Sequence, residues 1–185
     1  MTLTVIKPKR EEMLKCLARF DNLERINHGL PDMPLDGCHR TFLSVLGFKQ
    51  PKKDGEYSPF GSAVNPAISH LTTGYGVAFV KCEPGQGVLM HNHDTYESFM
   101  VVDGKWKMEW EGDNGDDGVV LGPLDFMSFP IGVHRRFECV EPAAGGKEGT
   151  LMAVIGGDKP AAIMSKASVE RLVGAGLMAP GTPWV

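Results

Sequence analysis

From Lys105 to Glu111 hydrophobic and charged residues alternate. Trp106, Met108 and Trp110 fall on one side, and Lys105, Lys107, Glu109 and Glu111 on the other. Successive side chains of a strand point to opposite faces, so this period of two predicts a half-buried β-strand. Apolar runs predict further strands at Val77 to Cys82, Glu97 to Val102, Val119 to Leu121, Phe126 to Phe129, Arg136 to Val140 and Leu151 to Ile155. The Asp- and Gly-rich stretch Gly112 to Gly118 reads as a solvated loop, and its aspartates lack the spacing of an EF-hand. Many short strands at near-regular spacing predict a closed or sandwich-like all-β domain.

The ends of the chain read differently. Pro8 suits a first helical position, and Met13, Leu14, Leu17 and Phe20 recur at helical spacing, which predicts an N-terminal helix with one apolar face. Between Ile26 and Tyr75 the pattern is broken by Pro31, Pro34, Pro51, Pro59 and Pro66, with Gly29, Gly37, Gly55 and Gly61 between them. One apolar run there, Thr41 to Phe48, is a candidate strand; the rest reads as extended arms laid over a barrel or a neighbouring subunit. Ser165 to Val173 predicts a second helix, capped by Ser165 and ended by Gly174 and Gly176. The expected division is therefore 1–75 for the helix and arm, 76–157 for the barrel, and 158–185 for a short helix and tail.

Composition narrows the class. The 185 residues are 42% hydrophobic and 23% charged, with a net charge of −4 and no block of like charge. That is a globular composition with no electrostatic footprint for nucleic acid. No apolar stretch approaches the ~20 residues needed to span a bilayer, so no membrane partner is expected. Lys7, Lys9 and Arg10 follow a very short apolar stretch, the reverse of a signal peptide. Cys16, Cys38, Cys82 and Cys139 lie far apart, which argues against a cysteine zinc site and for core packing. A cytoplasmic protein with free thiols is the expectation.

The candidate chemistry sits between the predicted strands. His91 and His93 are two apart, so on a strand both imidazoles face one point. Glu97 follows a short turn at the start of the next strand, and its carboxylate can meet the same ion. Well downstream, Pro130-Ile131-Gly132-Val133-His134 sets a fourth ligand, His134, at the end of a turn. Three imidazoles and a carboxylate suit one divalent transition metal, Fe(II), Mn(II), Ni(II), Cu(II) or Zn(II), and suit Ca(II) or Mg(II) poorly.

These residues carry a resemblance. Gly85-x5-His91-x-His93-x3-Glu97-x6-Gly104 resembles the first motif of the cupin superfamily at every fixed position. The second motif, Gly, a Pro-x-Gly turn, two residues, His, and Asn four positions on, is approached by Gly122, Pro130, Gly132 and His134. Seven residues separate Gly122 from Pro130 rather than five, one rather than two separates Gly132 from His134, and Glu138 stands at the Asn position. The resemblance covers Gly76 to Gly157. It implies a double-stranded β-helix, the cupin jelly-roll barrel, with the metal at its mouth.

Alternation from Glu97 places Phe99 and Val101 toward the metal, and from His134 places Arg136 there, where its guanidinium fork would anchor a substrate carboxylate or phosphate. The competing reading of Arg136 is a salt bridge to Glu138. Trp106 is a further candidate for the pocket wall, with Arg40 and Tyr96 weaker ones; His28, His39 and His70 lack a partner pattern. The leading expectation is a metal-dependent enzyme on a small, carboxylate-bearing molecule, an iron dioxygenase cleaving a ring or C–C bond. Lyase, decarboxylase or isomerase chemistry with Mn2+, Ni2+ or Zn2+, a non-catalytic metabolite-binding module, and a purely structural metal are the alternatives. The arm, longer than a minimal barrel needs, predicts a homodimer.

Overall fold

In the computed structural model, which describes residues 4–47 and 57–184, the alternating segment is a strand whose Trp106 and Met108 are fully buried. The strands are β1 (Thr41–Leu46), β2 (Tyr75–Cys82), β3 (His91–His93), β4 (Glu97–Asp103), β5 (Lys105–Gly112), β6 (Gly115–Leu121), β7 (Phe126–Phe129), β8 (Arg135–Glu141), β9 (Gly149–Gly156) and β10 (Ala162–Met164). They form two five-stranded antiparallel sheets, ordered β1-β2-β9-β4-β7 and β10-β3-β8-β5-β6. Chain neighbours β3 and β4 lie in different sheets, as do β7 and β8. This crossing from sheet to sheet makes a jelly roll, the all-β architecture the strand spacing called for. The inner faces meet over a core of Val80, Phe99, Val101, Trp106, Met108, Phe137, Leu151 and Ile155. Phe137 anchors it, with its ring edge-on to both Phe99 at 5.4 Å and Trp106 at 5.8 Å.

Two glycines fix the strand connections. Gly104, between β4 and β5, has φ +77°, and a Cβ there would lie 2.5 Å from the Glu141 carbonyl oxygen. Gly87 bridges to Glu138 so closely that a Cβ would meet the Phe137 carbonyl at 1.9 Å. Each position excludes any side chain.

Three regions depart from the pattern-based reading. The Asp/Gly stretch is not a loop: β5 and β6 form a hairpin in which Trp110 faces Asp117, Glu111 faces Asp116 and Gly112 faces Gly115. Its backbone bonds come from β5, so the side chains of Asp116 and Asp117 on this edge strand remain solvated. The N-terminal helix, α1 (Arg10–Leu14), is only five residues long and buries none of them. Met13, Leu14 and Leu17 are each about half exposed, and of the predicted stripe Phe20 reaches the barrel, its ring edge-on to Phe79 of β2 at 5.0 Å. The sheets also draw in β1 and β10 from outside the 76–157 span. Phe48, Pro51 and Gly55 of the predicted strand and arm lie outside the described residues. The second helix, α2 (Lys166–Gly174), is capped as expected, with the Ser168 amide donating to Ser165 Oγ.

Candidate metal centre

The centre is assembled across both sheets. β3 presents His91 and His93 from one sheet, and β4 presents Glu97 from the other. All three are buried, at 6%, 2% and 4% exposure, and one ligand atom from each lies within 4.8 Å of the others. Backbone carbonyls set the imidazoles. His91 Nδ1 donates to the Leu89 carbonyl at 2.8 Å, and His93 Nδ1 to that of Ala161 at 3.0 Å. Each ring is thereby held in the tautomer whose Nε2 carries a free lone pair, the arrangement found in metal-bound histidines. His93 Nε2 is buried without a hydrogen-bond partner, 3.4 Å from Glu97 Oε2. A divalent transition metal would satisfy that nitrogen, and the donor set fits one.

His134 is not part of this group. It precedes β8, and its Nδ1 pairs with Glu111 Oε2 at 2.5 Å, in a groove shared with Asp116, Ser165, Lys166 and Trp184. Arg135 turns inward instead. Directly opposite His91 in the β3–β8 register, it is 1% exposed, and its Nε donates to Glu97 Oε2 at 3.0 Å. The turn explains the exchange. Gly132, at φ +78°, donates its amide to the His93 carbonyl, and β8 starts three residues on. With two residues between it and the Pro-x-Gly turn, Arg135 therefore stands where the resembled second motif has its histidine, and four positions further stands Cys139.

The slip of one residue reverses every later side chain of β8. Arg135, Phe137 and Cys139 point in, while Arg136 points out and pairs with Glu109 and Glu138. Arg136 is thus the salt-bridged residue of the competing reading, not a pocket anchor. Phe99 does line the cavity beside His91 and Glu97, together with Val88, Phe137 and Ala153. Trp106 lies outside that lining, its Nε1 donating to the Asp103 carbonyl. Tyr96 is 61% exposed. Arg40 reaches the cavity wall from β1's leading edge, bound to the fully buried Asp32 at 2.7 Å. Pro59, Phe60 and Leu30 of the arm close the same cavity, whose volume is about 30 Å³. No periodicity marks these arm residues in the sequence, because their burial depends on where the arm crosses the barrel.

Burial dominates the site's electrostatics. It pushes the His91 imidazole down to about 3, reinforced by His93 and Arg135. Burial alone would raise Glu97, but His93 and the Arg135 guanidinium outweigh it and hold the carboxyl well below its usual range. Both shifts favour proton uptake by the unfolded chain. Unfolded histidine titrates near about 6.5 and glutamate near about 4.3. The metal-free protein is therefore expected to lose stability as pH falls below about 6.5, and more steeply below about 4.3. Thermal midpoints measured across this range should decline, with a shallower fall between about pH 6.5 and about pH 5 for His91→Gln. Equal slopes in the two proteins would show that His91 does not titrate on unfolding.

No family model matches the chain, and no curated protein matches it. Among solved structures it is similar to a sugar phosphate isomerase from a cupin superfamily of Silicibacter pomeroyi, at 22% identity over 75% of this chain and 73% of that one, TM-score 0.46. It is similar to an oxalate oxidase in complex with the substrate analogue glycolate, at 17% identity over 58% and 59%, TM-score 0.45. It is also similar to Peruvianin-I, a cysteine peptidase from Thevetia peruviana latex, at 18% identity over 49% and 55%, TM-score 0.43. The chain spans little more than half the length of the last two. Among the described residues no helix is long and apolar enough to cross a membrane. By its own strand order the chain folds as a jelly roll, and in that fold His91, His93 and Glu97 of the cupin-like first motif come together while Arg135 stands where the resembled second motif has its histidine.

Proposed function

We propose that this protein is a metal-dependent enzyme acting on a small organic molecule, with one divalent ion on His91, His93 and Glu97, and that its reaction is an oxygen-dependent, dioxygenase-type oxidation. The observation that carries the reading is the pair of carbonyl-locked imidazoles, their ligand atoms within 4.8 Å of each other and of a buried carboxylate oxygen. Two histidines and one carboxylate are the donor set of facial-triad iron oxygenases, in which the remaining positions serve dioxygen and substrate. When bound, iron supplies the redox chemistry, whereas Zn(II), Mn(II) or Ni(II) supplies Lewis-acid chemistry suited to a lyase, decarboxylase or isomerase.

The chain's own residues do the rest. Val88, Phe99, Phe137 and Ala153 wall the cavity with apolar surface that excludes bulk water. Arg135 holds Glu97 in one orientation through its Nε. A cavity of about 30 Å³ is far below the several hundred of an ordinary ligand pocket, so either this enzyme or the second reading, a non-catalytic binding module, would take only a very small group there. Four free thiols, Cys38, Cys82 and Cys139 of them buried, support a reducing, cytoplasmic setting. The half-exposed apolar side chains of Met13, Leu14 and Leu17 support a homodimer, and a sedimentation mass of one chain at micromolar concentration would refute it.

Metal content of protein purified without chelators tests the reading, followed by substrate screening with and without oxygen. One equivalent of iron, lost in His91→Ala, with turnover that stops under strict anaerobiosis, is the expected result. Turnover that survives anaerobiosis would replace the oxygenase by the lyase or isomerase reading. Metal-dependent binding without turnover would favour the binding module.

A further inference from the structure

We infer that this site takes its metal ion together with a small carboxylate, each raising the other's affinity, with Arg135 answering the carboxylate's charge; the inference rests on the metal reading above. The argument begins with a count of charge. A metal ion would take both imidazoles as neutral ligands through Nε2, with each Nδ1 facing a backbone carbonyl acceptor. Glu97 contributes one negative charge and Arg135 cancels it. A divalent ion therefore enters with its whole charge of two uncompensated. A histidine at the place of Arg135 would leave only one.

The surroundings cannot absorb that excess. His91, His93, Glu97 and Arg135 are each at least nine-tenths buried. Among the described residues lining the cavity beside the centre, the charged groups are Glu97 and Arg40, and Asp32 already neutralises Arg40. Buried uncompensated charge is strongly unfavourable, so an anion accompanying the metal removes the penalty.

Arg135 supplies the second, independent sign. In a guanidinium, Nε and Nη2 form one edge of the fork, and Nη1 points away. Here Nε binds Glu97 and Nη1 donates to the Val133 carbonyl, while Nη2 is buried without a hydrogen-bond partner. The open prong thus lies on the edge that faces Glu97. A carboxylate seated between the metal and Arg135 would take that prong, which is the recognition this fork is shaped for. The cavity that opens beside His91 and Glu97, the residue Arg135 holds, is about 30 Å³ and limits the group to a few heavy atoms, such as the carboxylate head of a short acid.

The test is calorimetric titration of the metal-free full chain with Mn(II), in formate or in its neutral isostere formamide, at constant ionic strength. Formate is expected to tighten Mn(II) binding by about tenfold or more, formamide not at all, and Mn(II) to tighten formate binding by the same factor. In Arg135→Gln the formate effect should vanish while Mn(II) still binds; Arg135→Lys should keep part of it. Equal Mn(II) affinity in formate and formamide overturns the inference and leaves the metal reading intact. A formate effect that persists in Arg135→Gln also overturns it. No Mn(II) binding under any condition overturns the metal reading, and this inference with it. Should Arg135→Gln fail to fold, the formate–formamide comparison on the unaltered protein decides the matter alone.

Discussion

Glu97→Ala is expected to lose the metal entirely and to destabilise the metal-free fold by about 3–5 kcal/mol, the usual cost of stranding one partner of a buried ion pair. Glu97 is 4% exposed and Arg135 1% exposed, so without the carboxylate the guanidinium keeps its charge in the interior, left with the Val133 carbonyl and the face of the Phe129 ring. For a chain of this size such a loss lowers the thermal midpoint by roughly 10 °C or more. The two roles of Glu97 can be separated. The double variant Glu97→Leu with Arg135→Met removes both charges and fills the space with apolar atoms, and it should recover most of the stability without recovering the metal. A single Glu97→Ala variant that melts like the parent protein would mean the pair contributes nothing to the fold.

The second large effect lies outside the centre. Asp32 is fully buried, and its Oδ1 and Oδ2 take Arg40 Nη2 at 2.7 Å and Nη1 at 3.1 Å. Oδ2 also accepts the Leu89 amide at 3.2 Å, and the Leu89 carbonyl is the acceptor for His91 Nδ1. One short chain of bonds thus runs from the arm through the backbone to a metal ligand. Asp32→Ala should cost about 3–5 kcal/mol by leaving the buried Arg40 charge without its carboxylate, with the Cys38 and Gly87 carbonyls as its remaining acceptors. The milder Asp32→Asn keeps the shape and one acceptor but weakens the hold on Leu89. It should lower metal affinity by about 10- to 100-fold, the range for groups that orient metal-bound histidines. Titration of folded Asp32→Asn with metal checks this, and unchanged affinity would reduce Asp32 to a purely structural partner of Arg40.

Several features are legible along the chain because they depend on neighbours close in sequence. The alternation of Trp106 and Met108 with Lys107 and Glu109 specifies a strand whatever surrounds it, since side-chain direction has a period of two. His91 and His93 share a face for the same reason, and Glu97 needs only the tight turn Asp94 to Tyr96 to reach them. Ser165 as a helix cap is equally local.

Tertiary structure decided what depends on register and on crossing segments. Whether His134 or Arg135 faces the centre turns on the residue at which β8 begins. That is set by the Gly132 amide bonding to the His93 carbonyl, a partner 39 positions earlier in the chain. A shift of one residue exchanges the two faces, so Arg136 moved outward with His134, and Phe137 moved in with Arg135. The Asp- and Gly-rich first half of β6 was hidden, unlike Val119 to Leu121, because its strand pairing comes from β5 and not from its own side chains. The arm residues Asp32, Pro59 and Phe60 acquire their burial only where the chain lies across the barrel. Local sequence thus set which side chains alternate; long-range hydrogen bonding set the phase of that alternation, and with it a cation where the motif has a ligand.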